Sequence, residues 1–228
     1  MERRSTMSKV RPLSQGIFFV VFIGLMFTGK AQFWMGFIFI SILLSGFFGR
    51  YYCGWACPIN TLIRPVSWIS KKLGLQKKGI PDVLKTEKPR WILFSLFLIG
   101  LAYTIYTITQ GGKFPLPLII IPLGLLTTLF INENAWHRYL CPWGVLFSLT
   151  GRFAKLGLKV SSSNCTSCSL CQLNCPAEAI KVDKKKGAEV DSTYCLLCFK
   201  CENNCPTNAI SYQKLSGGRE IKDIPIAR

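Results

Sequence analysis

The sequence is poor in the groups that acid–base catalysis uses. It has one histidine, His137, and 11 acidic residues among 228, and no hydrolytic constellation can be assembled from them. Charge of either sign is missing from residues 12–29, 31–49, 91–112 and 114–132. A membrane span needs about 20 apolar residues, so each stretch is near the required length, the first two at the lower limit. Such segments cannot build the solvated basic face that grips nucleic acid, although 28 basic residues give a net charge of +17. Nor does the first stretch offer a small-residue cleavage site, since it ends in Phe27-Thr28-Gly29-Lys30 with a second apolar run directly behind. It reads as a retained membrane helix rather than a signal peptide.

The positive charge lies in the same half as the apolar runs. Residues 1–159 hold 19 basic and 4 acidic residues, whereas five lysines balance five acids between Val160 and Gln213. Seventeen of the 19 fall in the N-terminal arm (Arg3, Arg4, Lys9, Arg11), the loop Arg50–Arg90 and the segment after the fourth stretch; Lys30 and Lys113 lie opposite. Basic loops stay cytoplasmic, so four spans of a cytoplasmic membrane are expected, with both termini in the cytoplasm. Trp34, Tyr51, Tyr52, Trp91 and Trp136 fall near span ends, where aromatic belts form. Pro115, Pro117 and Pro122 should bend or shorten the fourth span, because each removes a backbone donor.

What the sequence does have is cysteine, 11 in all. Eight belong to two copies of one pattern, Cys165-x-x-Cys168-x-x-Cys171-x-x-x-Cys175-Pro176 and Cys195-x-x-Cys198-x-x-Cys201-x-x-x-Cys205-Pro206. This run holds [4Fe–4S] clusters in bacterial ferredoxins, with the fourth cysteine ligating the other cluster. One cluster would take Cys165, Cys168, Cys171 and Cys205, the other Cys195, Cys198, Cys201 and Cys175. Zinc sites pair two ligands with two distant ones, and disulfides need an oxidising compartment, so neither alternative suits. A two-cluster α+β ferredoxin-like domain is expected over residues 160–213, followed by a tail over 214–228.

The other three cysteines belong to a second repeat. The first two spans lead into Cys53-Gly54-Trp55-Ala56-Cys57-Pro58, the next two into His137-Arg138-Tyr139-Leu140-Cys141-Pro142. Aligned on Cys-Pro, Cys57 matches Cys141, Leu62 matches Leu146, and His137 stands where Cys53 does. Lys-Leu-Gly-Leu closes both units, at Lys72–Leu75 and Lys155–Leu158. Two spans per unit make the repeats parallel, with both Cys-Pro elements on one side. Proline suits the first helical turn, so interfacial helices are expected at about 58–72 and 142–157, the first with Ile59, Leu62, Ile63, Val66 and Ile69 as its apolar face. Free amides at a helix start favour a thiolate. Cys53, Cys57, His137 and Cys141 are therefore a candidate metal site at the membrane face, suited to iron, an iron–sulfur centre or, less well, copper. Small apolar cysteines and an imidazole bonded to a carbonyl would account for the same residues.

Four spans, Gly54-Trp55-Ala56-Cys57-Pro58 after the second, a related element after the fourth and a C-terminal two-cluster domain resemble the NapH/NosR-type membrane polyferredoxins. The resemblance covers nearly the whole chain and departs at His137, where the family pattern has cysteine. It implies a four-helix membrane architecture and an electron-transfer subunit, working beside quinol-oxidising respiratory reductases. The flavin-attachment segment and extracytoplasmic domain of larger relatives are not expected here. The expectation is a membrane iron–sulfur protein passing electrons between quinone and a partner redox protein. A related branch, the oxidase-assembly type, handles copper through such a motif and supplies the alternative, a copper reductase for oxidase assembly.

Overall fold

A computed structural model describes residues 6–76, 79–111 and 116–215. Arg3, Arg4, Lys113, Pro115 and all but the start of the expected tail lie outside the described residues. In chain order the helices are α1 (Thr6–Phe27), α2 (Ala31–Phe48), α3 (Tyr51–Trp55), α4 (Pro58–Lys72), α5 (Asp82–Lys85), α6 (Glu87–Thr109), α7 (Leu116–Phe130) and α8 (Glu133–Ala135). A π-helical turn, Trp136–Leu140, leads into α9 (Pro142–Gly151). Then follow β1 (Leu156–Val160), α10 (Leu170–Leu173), β2 (Ile180–Asp183), β3 (Gly187–Val190), α11 (Lys200–Asn203) and β4 (Ile210–Lys214).

Among the described residues, three helices are long and apolar enough to cross a membrane, over Val10–Phe27, Ala31–Phe48 and Lys88–Thr109. Less than a quarter of each window is buried, so Leu13, Val20, Leu43 and Ile99 stand open. Apolar side chains exposed all round a helix need a non-aqueous surrounding. In the fourth stretch the described apolar helical part is Ile119–Phe130, shorter than the other three. Pro122 lies inside it.

The fold gathers into two compact units, Met1–Thr61 with Leu146–Arg228, and Leu62–Val145. The first two spanning helices thus share a unit with the cysteine-rich segment, where a boundary near residue 159 was expected. In this unit the aromatic core is Trp34, Phe37, Tyr52 and Phe147. Tyr52 stacks on Phe147 at 5.2 Å, and Trp34 Nε1 donates to the Tyr52 hydroxyl at 3.1 Å. The helix expected to run to 157 stops at Gly151, since Leu156–Val160 instead pairs antiparallel with Ile210–Lys214. The Lys155 N–H donates to the Phe47 carbonyl and the Tyr212 hydroxyl to Phe48, so strand and span end are stitched together.

In the second unit the carbonyls near the end of α7 find side-chain donors: Gln76 Nε2 on Thr128 and Ile131, and Ser70 Oγ on Leu129. Such buried carbonyls need partners, which is why the inward face of α4 carries serine. Ile63, Ser67 and Ser70 are buried, while Ile69 is exposed beside Trp68, over whose ring Lys72 Nζ sits at 3.9 Å. Gly124 admits the fully buried Trp136, because a Cβ there would stand 3.0 Å from the indole. Gly124→Leu should overpack this contact and cost about 1–3 kcal/mol. The check is a lowered thermal-unfolding midpoint in detergent; an unchanged midpoint would contradict the packing.

Candidate functional site

Three cysteines within seven residues force the backbone to coil around them. In both copies it does so by alternating ordinary and left-handed residues. Ser167, Ser169 and Glu178 have positive φ in the first, as do Leu197, Phe199 and Asn208 in the second. None is glycine, so each conformation costs roughly 1–2 kcal/mol. Alternation of this kind turns successive N–H groups into a concavity that favours an anion such as an iron–sulfur cluster. Strain that repeats at equivalent positions marks a built site.

The eight thiols divide into two sets of four. Cys165, Cys168, Cys171 and Cys205 line one cavity; Cys175, Cys195, Cys198 and Cys201 line the other. The fourth cysteine of each run has crossed over. Each crossing sulfur accepts a backbone N–H, Ala179 to Cys175 at 3.2 Å and Ala209 to Cys205 at 3.3 Å. Among the described residues no three His, Cys, Asp or Glu side chains converge to hold a single metal ion. Four thiols around a cavity suit a cube with cysteines at its corners better than one zinc ion.

The surroundings of the two cradles differ. Leu196, Leu197 and Phe199 are buried with Cys195, Cys198 and Cys201, whereas Cys168 is exposed. Coiling the N–H groups inward turns carbonyls outward, and in the second cradle side chains from the N-terminal helices meet them. Trp55 Nε1 donates to Leu197 O at 2.9 Å, Arg11 Nη1 to Cys198 O at 3.3 Å and Arg50 Nη1 to Thr193 O at 3.4 Å. Arg11 Nε and Gln15 Nε2 both donate to Gly54 O at 2.9 Å. At Gly54 the backbones touch, and a Cβ there would overlap the Leu196 carbonyl oxygen. Arg11 and Arg50, counted in the sequence as membrane-surface charges, are instead 4% and 2% exposed. Sequence reasoning missed their role, and that of Trp55, because a basic residue at a span end reads first as a topogenic signal.

Electrostatics fit an anionic occupant. Arg50 Nε is buried without a hydrogen-bond partner among the described residues, and a buried cation needs an opposite charge nearby. Burial pushes the Cys195 thiol up to about 12, with neighbouring thiols adding to it and Arg50 opposing. Cys201 and Cys171 are raised by burial too. For Cys205 burial also acts upward, but hydrogen bonds from Thr207 and the backbone outweigh it and the net shift is down. The raised thiols are neutral at physiological pH until iron displaces the proton.

The two Cys-Pro elements share one local geometry. Pro58 begins α4 and Pro142 begins α9. The turn before each is closed by a wide backbone bond spanning five residues: Cys57 N–H to Tyr52 O at 3.0 Å, and Cys141 N–H to Trp136 O at 2.9 Å. Such π-type turns recur at functional sites. Cys53 and His137 hold the same station inside them, 8% and 7% exposed, while Cys57 and Cys141 are half-buried. Arg50 Nη2 lies 3.9 Å from Cys53 Sγ; burial raises that thiol and Arg50 opposes the rise.

Thiol-lined cradles beside helices of spanning length define a membrane-associated iron–sulfur protein of the ferredoxin type. A family model described as a 4Fe-4S dicluster domain matches residues 164–209. Another, described as a 4Fe-4S binding domain, matches twice, over residues 30–76 and 114–161, which are the two Cys-Pro repeats. An uncharacterised protein of Methanocaldococcus jannaschii is 34% identical over 64% of this chain and 58% of its own length. The methylamine utilization ferredoxin-type protein MauN of Paracoccus denitrificans is 30% identical over 64% of this chain and 57% of its own. The ferredoxin-type protein NapH of Escherichia coli is 24% identical, over 62% and 52%. The chain therefore spans little more than half the length of these curated relatives. No solved structure matches. The chain is thus similar to ferredoxin-type proteins of the NapH and MauN kind, with matches to 4Fe-4S domain models over its cysteine-rich segment and both Cys-Pro repeats.

Gly54→Ala should lever the Leu196 loop off α3. In metal-free protein the expected result is faster reaction of Cys195 and Cys198 with a thiol reagent and an unchanged rate at Cys168. Trp55→Phe removes one buried donor and should cost about 1 kcal/mol, read as a smaller effect of the same kind. Equal rates in all three proteins would contradict the close contact.

Proposed function

We propose that the chain holds two [4Fe–4S] clusters and serves as a relay between the membrane and a partner redox protein. The observation that carries this is the crossed sorting of eight thiols into two cavities of four. Cys165, Cys168, Cys171 and Cys205 would hold one cluster, Cys195, Cys198, Cys201 and Cys175 the other. When bound, such clusters supply reversible one-electron chemistry, with potentials set by hydrogen bonds to sulfur, burial and nearby charge. The chain's part is to fix those conditions. Its N–H groups coil toward the thiols, Ala179 and Ala209 donate to sulfur, and Arg50 brings a buried positive charge to the second site only.

The reading extends to the membrane half. Four spans in two parallel repeats, with both termini cytoplasmic, accord with the double match over the Cys-Pro units and with the charge distribution. Cys53, Cys57, His137 and Cys141 are proposed as a further metal or iron–sulfur station at the cytoplasmic membrane face, beside quinone as the membrane-side reactant. The common geometry of the two Cys-Pro turns supports a shared role, and the name of the matching family model accords with it.

The test is iron and acid-labile sulfide per chain, on anaerobically purified protein, with EPR on the same sample. Two clusters correspond to about eight of each. Cys205→Ser should remove the signal that Cys168→Ser removes, not the one that Cys198→Ser removes. Iron above eight that is lost in Cys57→Ala and His137→Ala would support the membrane-face station, and a content of eight unchanged in those variants would refute it. Four iron, or none, would refute the two-cluster reading.

A further inference from the structure

We propose that the open side of the first cradle is the docking surface for a soluble electron carrier whose redox group is ringed by acidic residues. The inference rests on the reading of both cradles as cluster sites. The cradles share one backbone and differ in what covers them. Around the second, Arg50, Trp55 and Arg11 occupy the outward carbonyls of Thr193, Leu197 and Cys198. Around the first, Cys168 is exposed.

Sequence divergence between the copies follows this difference. Leu170 and Leu173 stand in the first copy where the second has Lys200 and Asn203. These leucines are 41% and 78% exposed. No charged residue occurs from Ser161 to Ala177, so docking on this tip buries no charge. Apolar side chains beside an exposed thiol, where the duplicate has polar ones, are the desolvated centre of an interface.

The rim is basic. The turn joining β2 to β3 presents Lys184, Lys185 and Lys186, all exposed. It is fastened to the first cradle: Gly187 lies against the Cys165 side chain, Ser167 Oγ donates to Asp183 O at 3.4 Å, and Val182 N–H donates to Gln172 Oε1 at 3.0 Å. The hairpin's acids are Asp183 and Glu189. Asp183 turns its Oδ1 to the N–H groups of Lys185 and Lys186, at 2.7 and 3.2 Å. Three lysines beside an uncharged tip bearing two exposed leucines select an acidic partner and steer its approach. A small face of this kind suits the brief encounters of electron carriers.

The experiment uses the full chain, reconstituted with iron and sulfide, in zwitterionic nanodiscs, titrated with a fluorescently labelled acidic flavodoxin. Fluorescence anisotropy gives the affinity across a salt series. Replacing Lys184, Lys185 and Lys186 together by Gln should weaken binding about tenfold at low salt and flatten the salt dependence, and replacing all three by Glu should weaken it further. Leu173→Ser should weaken binding several-fold with the salt slope unchanged. Iron and sulfide contents equal to those of the unmodified chain show that each variant is folded. The proposal is overturned if the lysine variants bind as the parent does, or if a basic cytochrome binds more tightly than the flavodoxin. It is equally overturned if sedimentation shows a second copy of the chain seated over Leu173. An iron count below two clusters in the unmodified chain would instead strike the relay reading, and the binding series would still decide the surface.

Discussion

The structure depends on where the carbonyls of the second cysteine loop go. Holding three thiols within seven residues coils the N–H groups inward, which leaves the carbonyls of Thr193, Leu197 and Cys198 facing out. Buried carbonyls must be hydrogen-bonded. Here the donors come from α1, α3 and the residue between α2 and α3: Arg11, Trp55 and Arg50. That exchange permits the backbone at Gly54 to touch the backbone at Leu196. One hydrogen-bonding requirement thereby joins the two N-terminal spanning helices and the cysteine-rich segment into one compact unit.

The same requirement separates the two copies of the ferredoxin pattern. In the first copy the outward groups meet solvent and the loop keeps serine, threonine and asparagine. In the second the loop is Leu196, Leu197 and Phe199, because it is buried. Duplication supplied two equal cradles, and packing made them unequal. Burial weighs more heavily on the second site, the Arg50 cation lies beside that site, and both are levers on cluster potential. Clusters held at the two sites would therefore differ in potential.

Much of this was legible in the sequence. The cysteine spacing marked the two segments that coil into cradles, because ligand spacing is a local constraint that tertiary context cannot override. The first three apolar stretches announced spanning helices for the same reason. In the fourth, residues 114–132 are uncharged and the described apolar helix occupies Ile119–Phe130, with Pro122 inside it. Identical tetrapeptides show why other features escaped. Lys72–Leu75 ends a helix in an exposed turn, while in Lys155–Leu158 the strand β1 begins, because only there does β4 offer a pairing edge. Arg11 and Arg50 escaped likewise, since the carbonyls they meet in the cysteine-rich segment lie more than a hundred residues away.

The central claim is that two like cradles are held in unlike surroundings, one sealed against the N-terminal helices and one open. It is tested most directly by pulsed EPR of the reduced, reconstituted protein with a soluble dysprosium chelate added. The signal that vanishes in Cys168→Ser should relax much faster in the chelate's presence, and the signal that vanishes in Cys198→Ser should be little affected. Equal relaxation of the two signals, or faster relaxation of the second, would contradict the account.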